Sequence, residues 1–472
     1  MRRLTGFDAQ FVFDERPNDP QHTLKLAFLD AQASAGFDLA AARRQVAARL
    51  ARLDPLRWRA VRVPLDLHHP VWLESGAPDL GWHVRRAAIP APGGRDELCE
   101  VVSQIASAPL DPGRPLWELW VLEGFEGEKV ALVLKLSHAL ADGGESRILL
   151  ERLFEPVPLS PELPTAETLS RAALVGTALR DRLLDLAALL RVARATVVAA
   201  WRRRKETHRP EPAELPVPTR LRNPRTSFGG PVGTRRAFHY QTVSLAAARE
   251  VGHAFDCTLN EVLIATVAGG MRRWLREQEC LPGLATIGHV PLSTRREHER
   301  GAWGNRIVAV PIALPTQIAD PVARLRASAL ENARAKSVLA AQRGAFLEDW
   351  QSVLPPVFTK AYGAVVRLMA RLRPRLSGGV VVSNVRGPEQ PLTVADGSIE
   401  NLVSVGHVKW VSGLNVTAWS YAGKLNLGLY ACADAFPDLG RVAALLGESF
   451  EELAKAAARE RARINVEGAR NA

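Results

Sequence analysis

The sequence contains little cysteine, with four residues in a chain of 472. No two of them stand at the short spacing of zinc ligands, and a disulfide-stabilised scaffold requires a far denser framework. Their surroundings are mostly apolar or helix-forming, which is typical of buried free thiols in a reducing compartment. We therefore expect no disulfide bond and no metal centre from Cys99, Cys257, Cys280 and Cys432.

Long hydrophobic runs are also missing. No stretch reaches the roughly 18 apolar residues that a membrane-spanning helix needs. Asp8, Asp14 and Glu15 interrupt the amino-terminal segment early, so it lacks the apolar core of a signal peptide. We expect a cytoplasmic location, with peripheral attachment to the inner membrane or to lipid droplets as the open alternative.

Negative charge is in the minority, because 61 lysines and arginines face 50 aspartates and glutamates, a formal net charge of +11. Such a balance favours anionic partners such as nucleic acid, anionic lipid or a phosphorylated ligand. Much of the excess is arginine in an Ala-, Leu- and Arg-rich background, for which compositional drift is an equally good explanation. No nucleic-acid-binding module is recognisable, so we expect no nucleic-acid partner.

The length of the chain indicates more than one domain, since single hydrophobic cores stop growing at roughly 250–300 residues. Strand-like and helix-like runs alternate in residues 1–155 and again in 236–472, which indicates an α/β fold. Between them, 156–235 begins and ends with proline-rich sequence around one or two long helical runs. We expect an amino-terminal domain, a helical crossover and a carboxy-terminal domain with these bounds.

Several elements in the two halves are predicted with clear bounds. Val130 to Leu136 is a nearly continuous apolar run, as in a strand buried on both faces. Leu259 to Glu277 has helical spacing. The runs Val403 to Val408, Leu414 to Tyr421 and Lys424 to Tyr430 follow one another with short turns, which predicts an antiparallel meander.

The most informative segment is KLSHALADGGES, which runs from Lys135 to Ser146. A buried strand ends at a histidine, His138, and Asp142 follows four residues later, before two glycines and a helix. The strand can fix the imidazole against a substrate, Asp142 can anchor the turn, and Gly143 permits its backbone geometry. The spacing alone is weak, because a lone histidine is more often structural.

The segment SHALADG resembles the HHxxxDG motif of wax ester synthases, condensation domains and related CoA-dependent acyltransferases. Other segments resemble the wax ester synthase/diacylglycerol acyltransferase family in the same order along the chain, and cover nearly all of it outside 156–235. They are LTGFDAQFVFDERPNDPQHT, GWHVRRAAIPAPGG, the PLW element at Pro115, Leu116 and Trp117, LNEVLIATVAGGMRRWL, HVPLSTR, WGN and SNVRGP.

The sequence departs from the family pattern at two places. Ser137 stands where the motif has its first histidine, while the second, which is the essential base in the family, maps to His138. The Asn-Asp pair of the family is Asn260-Glu261 here, so the amide is kept and the acid is longer by one methylene.

The resemblance implies a direct transfer. His138 accepts the proton of an alcohol, the oxygen attacks the thioester of acyl-CoA, and no acyl-enzyme forms. Acyl-CoA is then a co-substrate and no cofactor is needed. Asp142 has a structural role, with Arg295 as a candidate ion-pair partner, and either Asn260 or a backbone amide donates to the oxyanion. Pro115, Leu116 and Trp117 are either core residues or the wall of a substrate channel.

The fold that the resemblance implies consists of two domains like chloramphenicol acetyltransferase, each with a mixed sheet and flanking helices. The active site lies between them, with acyl-CoA entering from one face and the lipid alcohol from the other. In the crossover, leucines recur at helical spacing through 171–205 with arginines between them. This pattern fits a helix packed on the protein's own surface and, equally, one that contacts a membrane or lipid droplet.

Two other functions remain open from the sequence. A condensation-type acyltransferase would take its acyl group from a carrier-protein thioester and use a non-lipid acceptor. A catalytically silent lipid- or membrane-binding homologue is permitted by Ser137. Activity with free long-chain acyl-CoA separates the lipid acyltransferase from both.

Overall fold

The computed structural model describes residues 1–155, 162–206, 232–295, 303–341, 347–372, 379–408 and 412–471, together with positions 224, 226, 228 and 301. Most of the proline-rich beginning of the crossover and its Pro- and Arg-rich end lie outside these residues. The strands are β1 (Arg2–Arg3), β2 (His22–Leu29), β3 (Trp58–Val61), β4 (Val71–Glu74), β5 (Val84–Ala88), β6 (Trp117–Phe125), β7 (Lys129–Ser137), β8 (Arg236–Ser244), β9 (Thr286–Ser293), β10 (Ile307–Leu314), β11 (Gly379–Arg386), β12 (Thr393–Val394), β13 (Gly397–Val405), β14 (Ser412–Tyr421) and β15 (Lys424–Cys432).

Helices pack around these strands. They are α1 (Gly6–Asp14), α2 (Ala31–Ser34), α3 (Leu39–Ala47), α4 (Asp54–Arg57), α5 (Leu80–His83), α6 (Arg95–Ser107), α7 (Gly143–Phe154), α8 (Arg171–Glu206), α9 (Leu245–Phe255), α10 (Leu259–Glu277), α11 (Pro321–Ala341), α12 (Leu347–Val353), α13 (Pro356–Leu372) and α14 (Leu439–Asn471). The predicted helix from Leu259 to Glu277 is confirmed as α10. Of the helices in the described ranges, none combines the length and the apolar composition that a bilayer crossing requires.

The amino-terminal half is built on a six-stranded sheet with the order β12-β13-β2-β7-β6-β5. Strand β7 lies at its centre, antiparallel to β2 on one side and to β6 on the other. Every residue of β7 after Lys129 is buried, so the strand expected from the apolar run at 130–136 is confirmed. Helix α7 follows, and the segment SHALADG forms the junction between this strand and this helix.

The carboxy-terminal half is built on a second six-stranded sheet with the order β10-β9-β11-β14-β15-β8. Strand β11 runs parallel to both of its neighbours, β9 and β14, and the remaining pairs are antiparallel. Helices α10 and α14 pack together against this sheet, so each half has a mixed sheet with helices beside it.

One predicted element is wrong. Strands β14 and β15 form the expected hairpin, but β13 does not pair with them as the first strand of a meander. It pairs with β2 in the other sheet, from Ile399 opposite Leu29 to Val405 opposite Leu24. Residues 393–405, which lie in the carboxy-terminal half of the chain, therefore complete the amino-terminal sheet. The division of the chain at 155 and 235 stays a prediction.

In the described part of the crossover, the predicted helical run forms one continuous helix, α8. Arg182 of this helix donates hydrogen bonds to the carbonyl oxygens of Val353 and Leu354 at 3.2 and 3.4 Å. Its Thr196 accepts a hydrogen bond from the indole of Trp350 at 3.0 Å, so α8 lies along α12. Much of its outer surface is exposed, including Leu183 and Leu190.

Candidate active site

His138 lies where β7 ends, and two backbone hydrogen bonds fix its place. The amide of Ser137 donates to the carbonyl of Leu116 on the strand beside it at 2.9 Å, and the amide of His138 donates to the carbonyl of Gln21 at 2.8 Å. These two hydrogen bonds therefore hold the main chain at the end of β7 from both sides. The His138 side chain is 8% exposed.

The side chain of Asn305 determines which ring nitrogen of His138 carries the proton. Its amide nitrogen donates to the carboxyl of Asp8 at 2.6 Å and to the carbonyl of His138 at 2.7 Å. This orientation directs Oδ1 of Asn305 at Nδ1 of His138, 3.0 Å away. A carbonyl oxygen can only accept, so Nδ1 holds the hydrogen and Nε2 of the neutral ring has the basic lone pair.

Asp8 supports Asn305 from behind. Its Oδ1 accepts hydrogen bonds from both the backbone and the side-chain amide of Asn305, and Oδ2 accepts one from the hydroxyl of Thr5 at 2.9 Å. Burial raises the pKa of Asp8 above its ordinary value, although these hydrogen bonds act in the opposite direction. The hydrogen bonds that connect Asp8, Asn305 and His138 are therefore buried, and they fix the orientation of the three side chains.

Two rings confine the imidazole. Phe11 on α1 stacks on His138 with a centroid separation of 4.7 Å and an angle of 7°, and His407 contacts it edge to face at 4.7 Å. Phe11 and His407 also touch each other, with their centroids 5.2 Å apart. Together with the hydrogen bond from Nδ1, these contacts hold the ring in one orientation, which a general base requires.

Asp142 contacts both the beginning of α7 and its predicted partner Arg295. It is the N-cap of α7, where its Oδ1 accepts from the amides of Gly144 and Glu145 at 2.8 and 3.2 Å. Its Oδ2 accepts from Arg295 at 3.0 Å, so the expected ion pair is present. Arg295 also bonds to the carboxyl of Glu145 and to the carbonyl of Gly304. The pair thus connects the end of β9 to the beginning of α7.

The pKa values of the two acids in this cluster shift in opposite directions. Burial works to raise the pKa of Asp142, but the hydrogen bonds from Glu145 and the charge of Arg295 outweigh it and lower the pKa. Burial and the neighbouring Asp142 raise the pKa of Glu145 well above its ordinary value.

Ser137 and Gly143 flank the motif on its two sides. The hydroxyl of Ser137 accepts from the amide of Ala139 at 3.3 Å, so it helps to form the turn in place of the family's first histidine. A Cβ placed on Gly143 would lie 2.7 Å from Cγ2 of Val385 on β11. Gly143 therefore permits the close approach of α7 to the sheet of the other half.

A cavity of about 670 Å³ reaches His138. Its walls come from both halves of the protein, and it is large enough for part of a lipid substrate. Residues that line it include Phe11, Thr23, Lys25, His138, Asp142, His289, Pro291, Ile307, Val381, Ser404, His407 and Thr417. The imidazole is thus accessible from a cavity between the two halves, as the sequence interpretation requires.

Asn260 is not brought to this cavity. It lies in the first turn of α10, where its amide donates to Asn332 of α11 at 2.9 Å. Asn332 in turn donates to Glu261 at 2.8 Å, so the Asn-Glu pair joins two helices. This corrects the hypothesis that Asn260 donates to the oxyanion, and leaves the alternative of a backbone amide.

Pro115, Leu116 and Trp117 do not line the cavity either. All three are buried, and Leu116 and Trp117 belong to the hydrophobic core of the amino-terminal half. The indole of Trp117 stacks on His83 and donates to the carbonyl of Leu56 at 2.7 Å. The channel hypothesis is therefore corrected in favour of a scaffold role, in which Leu116 also anchors Ser137.

Most partners of His138 could not be recognised from the sequence. Phe11 and Asp8 lie in the FDAQF segment, and Asn305 lies in WGN, both of which were noted only as family resemblances. His407 and Lys25 carried no signal, because a lone histidine and a lone lysine in strand-like sequence have no distinctive spacing. Within the described ranges, no three His, Cys, Asp or Glu side chains converge as metal ligands.

Comparison with known proteins identifies the family of this chain. The catalytic domain of the wax ester synthase/diacylglycerol acyltransferase family matches residues 4–263, and its C-terminal domain matches residues 303–454. A Mycobacterium tuberculosis protein provisionally named diacylglycerol O-acyltransferase is 34% identical over 469 residues, which cover 97% of this chain and 98% of the relative. Another from the same strain is 31% identical, and the match covers 96% and 90% of the two chains.

Solved structures establish the fold. The wax ester synthase/diacylglycerol acyltransferase from Marinobacter aquaeolei VT8 superposes with a TM-score of 0.67 at 23% identity, covering 97% of this chain and 100% of the other. The first condensation domain of the calcium-dependent antibiotic synthetase gives 0.58 at 16% identity, covering 97% and 96%. The predicted acyltransferase fold of two mixed-sheet domains is confirmed, and the chain belongs to the wax ester synthase/diacylglycerol acyltransferase family.

Proposed function

We propose that the protein transfers a fatty acyl group from acyl-CoA to the hydroxyl of a lipid alcohol, either a diacylglycerol or a long-chain fatty alcohol. The observation that carries this proposal is the fixed tautomer of His138 beside a cavity lined by both halves. The identity to relatives named as diacylglycerol O-acyltransferases supports the choice of acceptor.

The reaction needs one base and no covalent intermediate. Nε2 of His138 takes the proton of the alcohol while its oxygen forms a bond to the carbonyl carbon of the thioester. The tetrahedral species then collapses, the C–S bond breaks, and the thiolate of CoA takes the proton back from Nε2. The products are an ester and free CoA, and the imidazole returns to its first state with Nδ1 still donating to Asn305.

A labelled long-chain acyl-CoA and a panel of acceptors test this function. We expect the wild-type protein to form labelled ester with dioleoylglycerol or hexadecanol and to release one CoA thiol per ester. His138→Ala should lose at least 100-fold in kcat, since general acid–base catalysis contributes roughly 10²–10⁴-fold. His253→Ala, which removes an exposed histidine of α9, is the matched control and should retain full activity.

Each contrary result has a distinct meaning. Full activity of a folded His138→Ala variant would exclude the proposed base. Transfer from a carrier-protein thioester but not from acyl-CoA would favour the condensation-type reaction. An absence of turnover with any thioester would favour the catalytically silent homologue. Circular dichroism of each variant separates these results from loss of folding.

We further propose that the protein works at a lipid surface and contacts it through α8 and α13. Leu183 and Leu190 on α8 are 71% and 73% exposed, and Val365 and Leu372 on α13 are also exposed. Helix α8 lies along α12, which directly precedes α13. Exposed arginines such as Arg194 on α8 would add attraction to anionic lipids.

Vesicle sedimentation tests this contact. We expect binding to vesicles that contain phosphatidylglycerol, weaker binding to phosphatidylcholine alone, and loss of binding by at least 10-fold in Leu183→Glu/Leu190→Glu. Leu284→Glu is the matched control, because Leu284 is equally exposed but lies between α10 and β9. Equal binding of all three proteins would contradict the proposed surface.

A further inference from the structure

Two polar side chains of β2 face the catalytic cavity. Thr23 and Lys25 stand two residues apart on the strand, so they share one face of the sheet, and both line the cavity. They are 2% and 5% exposed. The mechanism proposed above makes no use of either residue.

Lys25 has few partners for a buried lysine. Its ammonium donates one hydrogen bond to the hydroxyl of Ser404 on β13 at 2.8 Å and lies over the ring of Trp419 at 5.4 Å. Among the described residues it forms no ion pair within 4.0 Å. An ammonium has three donors, so this side chain offers more hydrogen bonds than the protein accepts.

Lys135 on the neighbouring strand β7 is a structural lysine of the same sheet and serves as a comparison. It is completely buried, donates to the carbonyls of Ile105 and Ala108 at 3.0 and 2.5 Å, and pairs with Glu118 at 3.6 Å. It does not line the cavity. Lys25 lacks this set of carbonyl and carboxylate partners, and burial lowers its pKa to about 7, against the charge of Asp142.

Thr23 points to the same conclusion independently. Its hydroxyl is buried and has no hydrogen-bond partner among the residues that the structure describes, which is costly for a polar group. Thr23 lies two residues after Gln21. The carbonyl of Gln21 accepts a hydrogen bond from the amide of His138. Since a strand rises about 3.3 Å per residue, Thr23 and then Lys25 follow at steps of roughly 7 Å along β2 from the catalytic residue.

We propose that Thr23 and Lys25 bind an ester carbonyl oxygen of the acceptor, and so favour a partial glyceride over a plain fatty alcohol. This inference rests on the proposed acyl transfer. The pair is rich in donors, which suits an ester, because an ester has only acceptors. The amides of the CoA arm would also bury N–H groups that need acceptors of their own. A fatty alcohol has no second oxygen to offer.

Replacement of the two residues by apolar side chains of similar size tests this specificity. With palmitoyl-CoA as donor, we expect Lys25→Met to lose at least 10-fold in kcat/KM for dioleoylglycerol, mainly through a higher KM, and to change less than about 3-fold with hexadecanol. Thr23→Val should act in the same direction by a smaller factor. Lys129→Met, at the partly exposed beginning of β7, is the matched control and should behave as wild type.

Equal losses with both acceptors, or a higher KM for palmitoyl-CoA, would overturn the assignment. A binding measurement separates this failure from failure of the acyl transfer itself. In the His138→Ala background, 1,2-dioctanoylglycerol should raise the Tm of the protein, and Lys25→Met should remove most of that rise. An unchanged rise would overturn the inference, whereas absent turnover by wild type would count only against the transfer reaction.

Discussion

At the scale of single residues, Asn305 orients the side chain of His138 and does not itself line the cavity. It accepts from Nδ1, and its own amide group is fixed by Asp8. Asn305→Ala would remove this acceptor, so the ring would populate the wrong tautomer and additional orientations. We expect kcat to fall by roughly 10–100-fold with little change in KM, as for other groups that orient a functional histidine.

Steady-state kinetics with saturating acyl-CoA measure this effect. Asn332→Ala is a suitable control, because Asn332 is a buried amide of α11 that bonds to Asn260 and Glu261 outside the cavity. A kcat that remains at the wild-type value in folded Asn305→Ala would show that packing by Phe11 and His407 alone orients the ring.

Lys25 also gives stability an unusual pH dependence. Burial lowers its pKa from 10.5 to about 7 in the folded protein. Below pH 7 both states hold the proton, and the cost of the buried ammonium is present in full. Between about pH 7 and 10.5 the unfolded chain binds more protons, so this group makes stability rise with pH.

Lys25→Met should therefore be more stable than wild type at pH 6, by up to a few kcal/mol, since each pKa unit corresponds to about 1.4 kcal/mol. The difference should shrink steadily towards pH 10. Urea titrations of both proteins at several pH values measure it. Lys129→Met should show no such trend, and a gain for Lys25→Met that is independent of pH would contradict the low pKa.

At the scale of elements, the junction of β7 and α7 could be predicted from sequence because its determinants are local. An apolar run, one histidine, an N-cap aspartate and two glycines follow one another within a few residues. Asn305 and Lys25 could not be predicted, since they reach the site from other elements. The pairing of β13 with β2 could not be predicted for the same reason. The alternation of its apolar residues suits either sheet, and only packing with β2 selects the amino-terminal sheet.

Asp142 stabilises this junction in two ways, as the N-cap of α7 and as the partner of Arg295. Asp142→Ala removes both and leaves Arg295 beside a single acid, so we expect a loss of about 3 kcal/mol or more in the free energy of unfolding. Asp142→Asn keeps a good cap but not the charge, and should lose less. Chemical denaturation of the two variants separates the contribution of the N-cap from that of the ion pair. An Asp142→Ala variant as stable as wild type would exclude the structural role.

Gly143 determines how closely α7 approaches β11. A methyl group there would meet Val385 at 2.7 Å, so Gly143→Ala should destabilise the protein by about 1–3 kcal/mol. Val385→Ala in the same chain should restore part of the loss by making room. Gly176→Ala on α8, where a Cβ meets no atom within 4 Å, should instead stabilise by about 0.5–1 kcal/mol. Thermal unfolding of the three variants and the wild type distinguishes the steric effect from the intrinsic preference for alanine in a helix.

At the scale of the whole molecule, β13 makes the two halves depend on each other. It completes the amino-terminal sheet, while the next strand along the chain, β14, lies in the other sheet. Val403 of β13 belongs to a core cluster that joins Leu26 and Phe28 of β2 to Tyr240 and Tyr430 of the carboxy-terminal half. The halves therefore share a hydrophobic core as well as the catalytic cavity, and loss of one exposes the apolar surface of the other.

This shared core predicts a single unfolding transition in calorimetry, despite the two sheets. Val403→Ala removes two methyl groups at a position that is 1% exposed, and should cost about 2 kcal/mol and lower the Tm of that one transition by a few degrees. Val442→Ala in α14, which is buried within the carboxy-terminal core alone, should shift the same transition. Independent halves would instead give two transitions, with Val403→Ala lowering one and Val442→Ala the other, and the active site would then be lost at the lower of the two temperatures.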